Sequence, residues 1–423
     1  MASDLADEPA GRGHSSFPEA LPPKGPIQST PRMIGVDLAR FVAIVGMMAA
    51  HLLASKPGPE WVHTLTSGFP SVLFAVLGGF GSYFVCRRYL EAGQKRAAVA
   101  ALLARGAVVA LLGIVMEMLP DHRIAVILVY FGAAIMASAG LVLLSQRGLA
   151  TVLVVLAFTA PLVLQVVRGA QLPVRLGYLD YSRPDLFFLS VLVTGTYPVV
   201  TWIVYLGVGL FLARPLVGGP TASARRKTAW LAVGLGVGSA VVAWATGRAW
   251  LGVASKRLAG SQGLGVEEAK AWLTASGHGG PPQESLGFLF ALAPHSGSVV
   301  DMVLSSGVAI ALIGSLVLAT RKLQSPPLLL APFTTAGATP LTIYVGHVAL
   351  TAWFYSWASV IAGTTFGVVN PGVDPWWIIH DFALQLSLAL LFSTLLYVTK
   401  KKGPLEWLTS KVARAAAKSQ LSN

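Results

Sequence analysis

Ten apolar runs, each about as long as a bilayer's hydrocarbon layer is thick, dominate this chain of 423 residues. A helix rises about 1.5 Å per residue, so crossing roughly 30 Å of hydrocarbon takes about 20 residues with few charges. The runs lie at 35–54, 67–86, 98–118, 124–144, 149–167, 190–213, 228–247, 300–320, 337–360 and 378–398. Lipid offers no partner for backbone N–H and C=O groups, so runs of this length must be helices. The sequence therefore predicts an all-α polytopic membrane protein with ten spans. Composition agrees, because charged residues are only 12% of the chain and mean hydropathy is +0.67.

The formal charge of +13 raises the question of nucleic acid, but the cations are spread over short loops rather than gathered in one patch. They follow the positive-inside pattern. Arg87, Arg88, Lys95 and Arg96, then Arg147, then Arg214, Arg225, Arg226 and Lys227, then Arg321 and Lys322, and finally Lys400–Lys402 follow alternate spans. This predicts both termini on the cytoplasmic side of a multi-pass cell-membrane protein, with no nucleic-acid partner. Residues 1–31, rich in Pro, Gly and Ser, read as a disordered cytoplasmic tail. Residues 32–402 form the transmembrane domain, and 403–423 read as a basic amphipathic helix on the inner leaflet. Cys86 is the only cysteine, so no intramolecular disulfide and no thiolate metal cluster can form. Two outer segments, 168–189 and 248–299, read as long loops, the second holding a short helix at GVEEAKAWL.

The first span, RMIGVDLARFVAIVGMMAAHLLA, carries Arg40 and His51. Eleven positions turn a helix through about 1100° and advance it about 16 Å, so both side chains share a face at different depths. Ionisable residues in a span are costly and usually face protein or water. The pair reads as a site; the alternative is an Arg40 that snorkels inward and a His51 at the outer boundary. In the second span Gly78, Gly79, Gly81 and Ser82 permit close helix packing or the passage of a thin ligand arm. Arg88 and Arg105 could seat phosphates with Arg40, or could simply signal topology. His347 falls mid-span between Tyr344 and Thr351, and APHSGSVVD puts His295 beside Ser296 at a helix entrance. Tyr130, Tyr197, Trp202 and Tyr205 could line a cavity, although aromatic belts explain such residues more often, while His380 and Asp381 read as interfacial. No His-Glu-x-x-His helix, P-loop or Gly-x-Ser-x-Gly elbow is present, so metalloprotease, ATPase and serine-hydrolase readings lose their usual support.

Seven blocks in order, from RMIGVDLARFVAIVGMMAAHLL through SVLFAVLGGFGS, ILVYFG, TGTYPVVTWIVYLGVGL, PHSGSVVDMVLSSGVAIALIG and ATPLTIYVGHV to GPLEWL, resemble the YeiB-like membrane proteins. Those are similar to the catalytic domain of heparan-α-glucosaminide N-acetyltransferase. The likeness runs over roughly residues 32–410. In a related branch, the integral-membrane sugar O-acyltransferases, the first span carries an Arg, ten residues and a His, and Arg40 and His51 match that spacing. The resemblance implies ten or eleven helices around a central polar pore. It also implies an acyltransferase that takes an acyl group, acetyl foremost, from cytoplasmic acyl-CoA to a hydroxyl or amine of an envelope glycan or glycolipid outside. On that reading His51, His295 and His347 are the catalytic candidates, Arg40, Arg88 and Arg105 bind the donor, and no metal takes part. The rival readings are a transporter or flippase for a lipid-linked sugar and a non-catalytic scaffold. The sequence is compatible with a homodimer.

Overall fold

The computed structural model describes residues 33–53, 60–119, 124–169, 179–277, 286–361 and 375–421. The expected tail at 1–31 lies outside them, as do residues 170–178 and 278–285 of the two expected outer loops. Among the described residues every regular element is a helix and there is no strand: α1 (Ile34–Leu52), α2 (Glu60–Thr66), α3 (Phe69–Glu91), α4 (Lys95–Glu117), α5 (Leu128–Leu141), α6 (Gln146–Gly169), α7 (Pro184–Leu189), α8 (Val199–Gly218), α9 (Ala222–Gln262), α10 (Val266–Thr274), α11 (Val299–Thr320), α12 (Ala331–Ala338), α13 (Pro340–Ile361), α14 (Pro375–Thr399) and α15 (Pro404–Ser419).

Eight of these helices are long and apolar enough to cross a membrane, and nine if the bent pair Leu328–Ala338 and Pro340–Trp357 makes one span. The pair turns by 77° at Thr339, where Pro340 cannot donate a backbone hydrogen bond. Each of the ten apolar runs contains a helix, but α5 has only 14 residues, short for the hydrocarbon layer. The core is built from α1, α3, α5 and α8, whose side chains form one continuous buried cluster. At the periphery, α6, α9 and α14 expose Phe158, Val166, Leu235, Val242, Leu391 and Val398. So much exposed apolar surface in one molecule marks a face made for lipid. The chain has the architecture of a multi-pass membrane protein.

Two sequence boundaries need correction. The run at 190–213 is not one helix: a π-helical turn, Ser190–Thr194, ends at Gly195, and α8 begins only after Pro198. A proline just before a helix start ends the preceding hydrogen-bond ladder. The segment read as a loop from 248 is helix to Gln262, which makes α9 41 residues long, about 60 Å. The extension is too polar to register as a span, yet Leu251, Ser255, Leu258 and Ala259 repeat at helical spacing. Its apolar members pack on Ala269 and Leu273 of α10, the short helix that the sequence does predict.

In the second span the packing reading prevails at three of four positions. A Cβ on Gly79 would overlap the α8 backbone at Leu206, one on Gly78 would strike Phe131, and Ser82 Oγ meets Ser138 Oγ at 3.2 Å. Gly81 faces open space. Cys86 is fully buried, as its place in the second span suggests.

Candidate functional site

One end of the bundle gathers the C-terminus of α1, the N-termini of α3, α11 and α14, and the segments before α5, α8 and α11. This is the histidine end. A cavity of about 90 Å³ opens there, lined by His51, His295, Tyr197, Tyr344, Thr66 and Ser71 among others. His51 and His295, 244 positions apart in sequence, share it. His347 is 3% exposed and stands behind His51.

The two imidazoles meet edge to edge. His51 Nδ1 lies 3.0 Å from His347 Nε2, and the ring planes differ by only 4°. Centroids 5.3 Å apart with nitrogens this close place the rings side by side in one plane, so the N–H points straight at its acceptor. His347 Nδ1 lies 2.6 Å from Gln385 Oε1. Gln385 Nε2 donates to Asp381 Oδ1 at 2.9 Å and to Thr351 Oγ1 at 3.3 Å.

This chain of contacts assigns the protons. A carboxylate only accepts, so Asp381 fixes the Gln385 amide with its NH2 toward the acid and its oxygen toward His347. The oxygen requires a proton on His347 Nδ1. A neutral His347 then offers Nε2 as a lone pair, and His51 must donate from Nδ1. What remains on His51 is Nε2 with its lone pair, the nitrogen of a general base.

His295 reaches the cavity by an unusual backbone. Its φ is +58°, with Gly297 at +61°, where only glycine is unstrained. Buried hydrogen bonds hold the turn. Asp301 Oδ2 accepts from Gly297 N at 3.2 Å, Ser305 Oγ donates to Asp301 Oδ1 at 3.2 Å, and Gly277 N donates to Pro294 O at 2.8 Å. Ser298 Oγ donates to Ala291 O and accepts from Asp301 N, which makes it the N-cap of α11. Ser296 Oγ accepts from Ser298 N at 3.2 Å. Both neighbouring serines thus hydrogen-bond the backbone of the turn, and both are fully buried. The His295 ring stands edge-on to Tyr197, with centroids 5.7 Å apart. Tyr197 sits between the π-helical turn and α8 and is 8% exposed. At neutral pH it keeps its proton and can donate a hydrogen bond into the cavity.

The opposite, basic end holds Arg40, Arg88 and Arg105, but not together. Arg40 Nη1 pairs with Asp37 Oδ1 at 3.1 Å, three residues back on α1. Arg105 on α4 lies within electrostatic reach of Arg40 and of Glu406. Arg88 is exposed and lines a separate cavity of about 520 Å³ with Arg414 of α15. Between the two ends, the α1 face from Arg40 to His51 carries Ala43 and Ile44, buried in apolar packing, and Met47, buried against the histidine cavity. Along this stretch the structure holds packed side chains where the resemblance implies a polar pore.

Two members of the histidine chain were not singled out as site residues from the sequence: Gln385, and Asp381, which read as interfacial. The signal was available, since two polar residues four apart share one face of an otherwise apolar helix.

Residues 283–416 match the family model described as protein of unknown function (DUF418). The matched stretch carries His295, His347, Asp381 and Gln385, while Arg40 and His51 lie before it. No curated protein matches the chain. The last third of the molecule, with three of the four links in the histidine chain, is therefore similar to DUF418 proteins.

Proposed function

We propose that the chain is an integral-membrane acyltransferase of the cell membrane. On this reading ten helices span the bilayer: α1, α3, α4, α5, α6, α8, α9, α11, α13 and α14. The basic end and both termini face the cytoplasm. The donor is acyl-CoA, acetyl foremost, and the acceptor is a hydroxyl or amine of an envelope glycan or glycolipid at the histidine end.

The observation that carries the reading is the His51 imidazole, oriented by His347, Gln385 and Asp381 and facing a cavity it shares with His295. His51 Nε2 takes the proton of the acceptor O–H or N–H as that atom attacks the thioester carbonyl. The new C–O or C–N bond forms, the C–S bond breaks, and the imidazolium returns its proton to the departing CoA thiolate. Tyr197 or His295 donates a hydrogen bond to the developing oxyanion. A two-step route through an acyl-His51 uses the same groups. Arg40 and Arg105 serve the donor's phosphates, and Arg88 leaves that set because it lines the other cavity. For the pantetheine arm to reach His51, the packing of Ala43, Ile44 and Met47 has to part.

The test uses purified full-length protein in liposomes, with labelled acyl-CoA and envelope glycolipid extract. Acyl transfer that His51→Ala abolishes, with folding intact, is the expected result. Unchanged turnover in that variant overturns the assignment, and glycolipid movement without acyl-CoA favours a flippase.

A further inference from the structure

The larger cavity at the basic end has a chemistry of its own. It lies between the end of α3, the start of α4 and the C-terminal helix α15. Arg88 and Arg414 bring two guanidinium groups to it from different helices, and among the described residues neither has an ion-pair partner. The nearby acids are already engaged. Glu91 pairs with Arg87 at 3.5 Å, and Glu406 Oε1 accepts from Leu341 N and Thr342 N at 2.7 and 3.1 Å. The remaining lining divides by polarity, with Gln94 and Ser410 on one hand and Phe84 and Val85 on the other. Two cations beside hydrogen-bonding groups and an apolar wall suit a phosphate joined to a hydrocarbon.

The place in the fold says which kind. Two residues along α4 from the cavity, Leu103 is 44% exposed on the lipid-facing surface, and Trp407 of α15 is half exposed with Lys411 over its ring at 4.8 Å. An exposed Trp beside cations is the usual dress of a helix at the headgroup level. Guanidinium groups bind phosphate oxygens in pairs, and cations placed against an anionic leaflet each add to lipid affinity.

We infer that this cavity binds the phosphate of an anionic phospholipid headgroup, with Arg88 and Arg414 as its ligands and Phe84 and Val85 against the start of the acyl chains. The site is independent of the acyl-transfer reading. Its occupancy also bears on the rest of the molecule, because α15 is docked through Ala413 and Ala417 on Ala97 and Ala101 and its Glu406 caps α13, the helix of His347. A lipid that steadies α15 steadies that cap.

The test titrates the full chain in detergent with phosphatidylglycerol, phosphatidylcholine or soluble glycerol phosphate, reading bound mass by native mass spectrometry and thermal stability in parallel. Phosphatidylglycerol is expected to bind and to raise the melting temperature, with the other two far weaker. Arg88→Ala with Arg414→Ala should weaken that binding by roughly tenfold to thirtyfold. Arg88→Lys with Arg414→Lys keeps the charge and should recover part of it. Arg226→Ala with Lys227→Ala, which removes the same charge from exposed positions in α9, should leave it unchanged. Equal affinity in the Arg88/Arg414 variant, an equal loss in the α9 variant, or phosphatidylcholine binding as tightly as phosphatidylglycerol overturns the site. Displacement of the lipid by equimolar glycerol phosphate overturns the lipid as its occupant.

Discussion

The two ends of this molecule handle polar groups in opposite ways. At the histidine end the cavity is about 90 Å³, and four side chains from three helices form a hydrogen-bonded line in which each proton has one place. At the basic end the cavity is several times larger, its cations come from exposed positions, and among the described residues neither has an ion-pair partner. An enclosed network is costly unless every member is satisfied, and that completeness fixes orientation. An open cationic pocket pays little for its charges and can accept whatever anion fits. The first arrangement suits chemistry, and the second suits recognition.

Four substitutions break or sharpen this contrast. His51→Gln leaves an amide N–H that can still donate to His347 but removes the base. It should lower acyl transfer by about 10²- to 10⁴-fold with little loss of stability, read as kcat beside a melting curve. Next in size, Gln385→Leu should free His51 to change tautomer. Nitrogen NMR of labelled histidine should show its Nδ1 proton no longer fixed, with turnover down by at least roughly 10- to 100-fold, the range seen when the partner that orients a metal-bound histidine is removed. The nitrogen signature separates orientation from simple damage to the fold. Asp301→Ala should cost about 1–3 kcal/mol by leaving Gly297 N and Ser305 Oγ without their buried acceptor, seen as a lower melting temperature. The smallest effect belongs to the basic end. Glu406→Ala removes the α13 cap for about 1 kcal/mol, and turnover should fall only as far as His347 loses register.

The sequence made the axial positions legible and the lateral ones not. Arg40 and His51 could be placed at opposite ends of α1 because helical rise converts spacing into depth. Charge counting grouped Arg88 with the Arg40 end of the bundle, but loop charges say nothing about position around the bundle, so its cavity with Arg414 was out of reach. His295 and His347 could be named as candidates, because polar residues in or beside a span stand out. That His347 would stand behind His51 depends on which faces of α1, α13 and α14 meet, and long-range packing decides that. The interruptions at Pro198 and Pro340 were visible as prolines, yet hydropathy windows average across a break. The extension of α9 escaped for the same reason, since its apolar stripe covers only one face.

Cys86 gives the molecule one further property. It is the sole sulfhydryl of the chain, 0% exposed, with Sγ directed at the Ala98 carbonyl 3.5 Å away between α3 and α4. A membrane-impermeant thiol reagent therefore meets a protein that is silent as it stands. A single cysteine introduced at Lys95 or at Ser182, both exposed and at opposite ends of the bundle, supplies the only label in an otherwise native chain. With its one thiol buried, the sequence needs no cysteine removed before labelling, and two such variants in intact cells assign the two faces of the membrane directly.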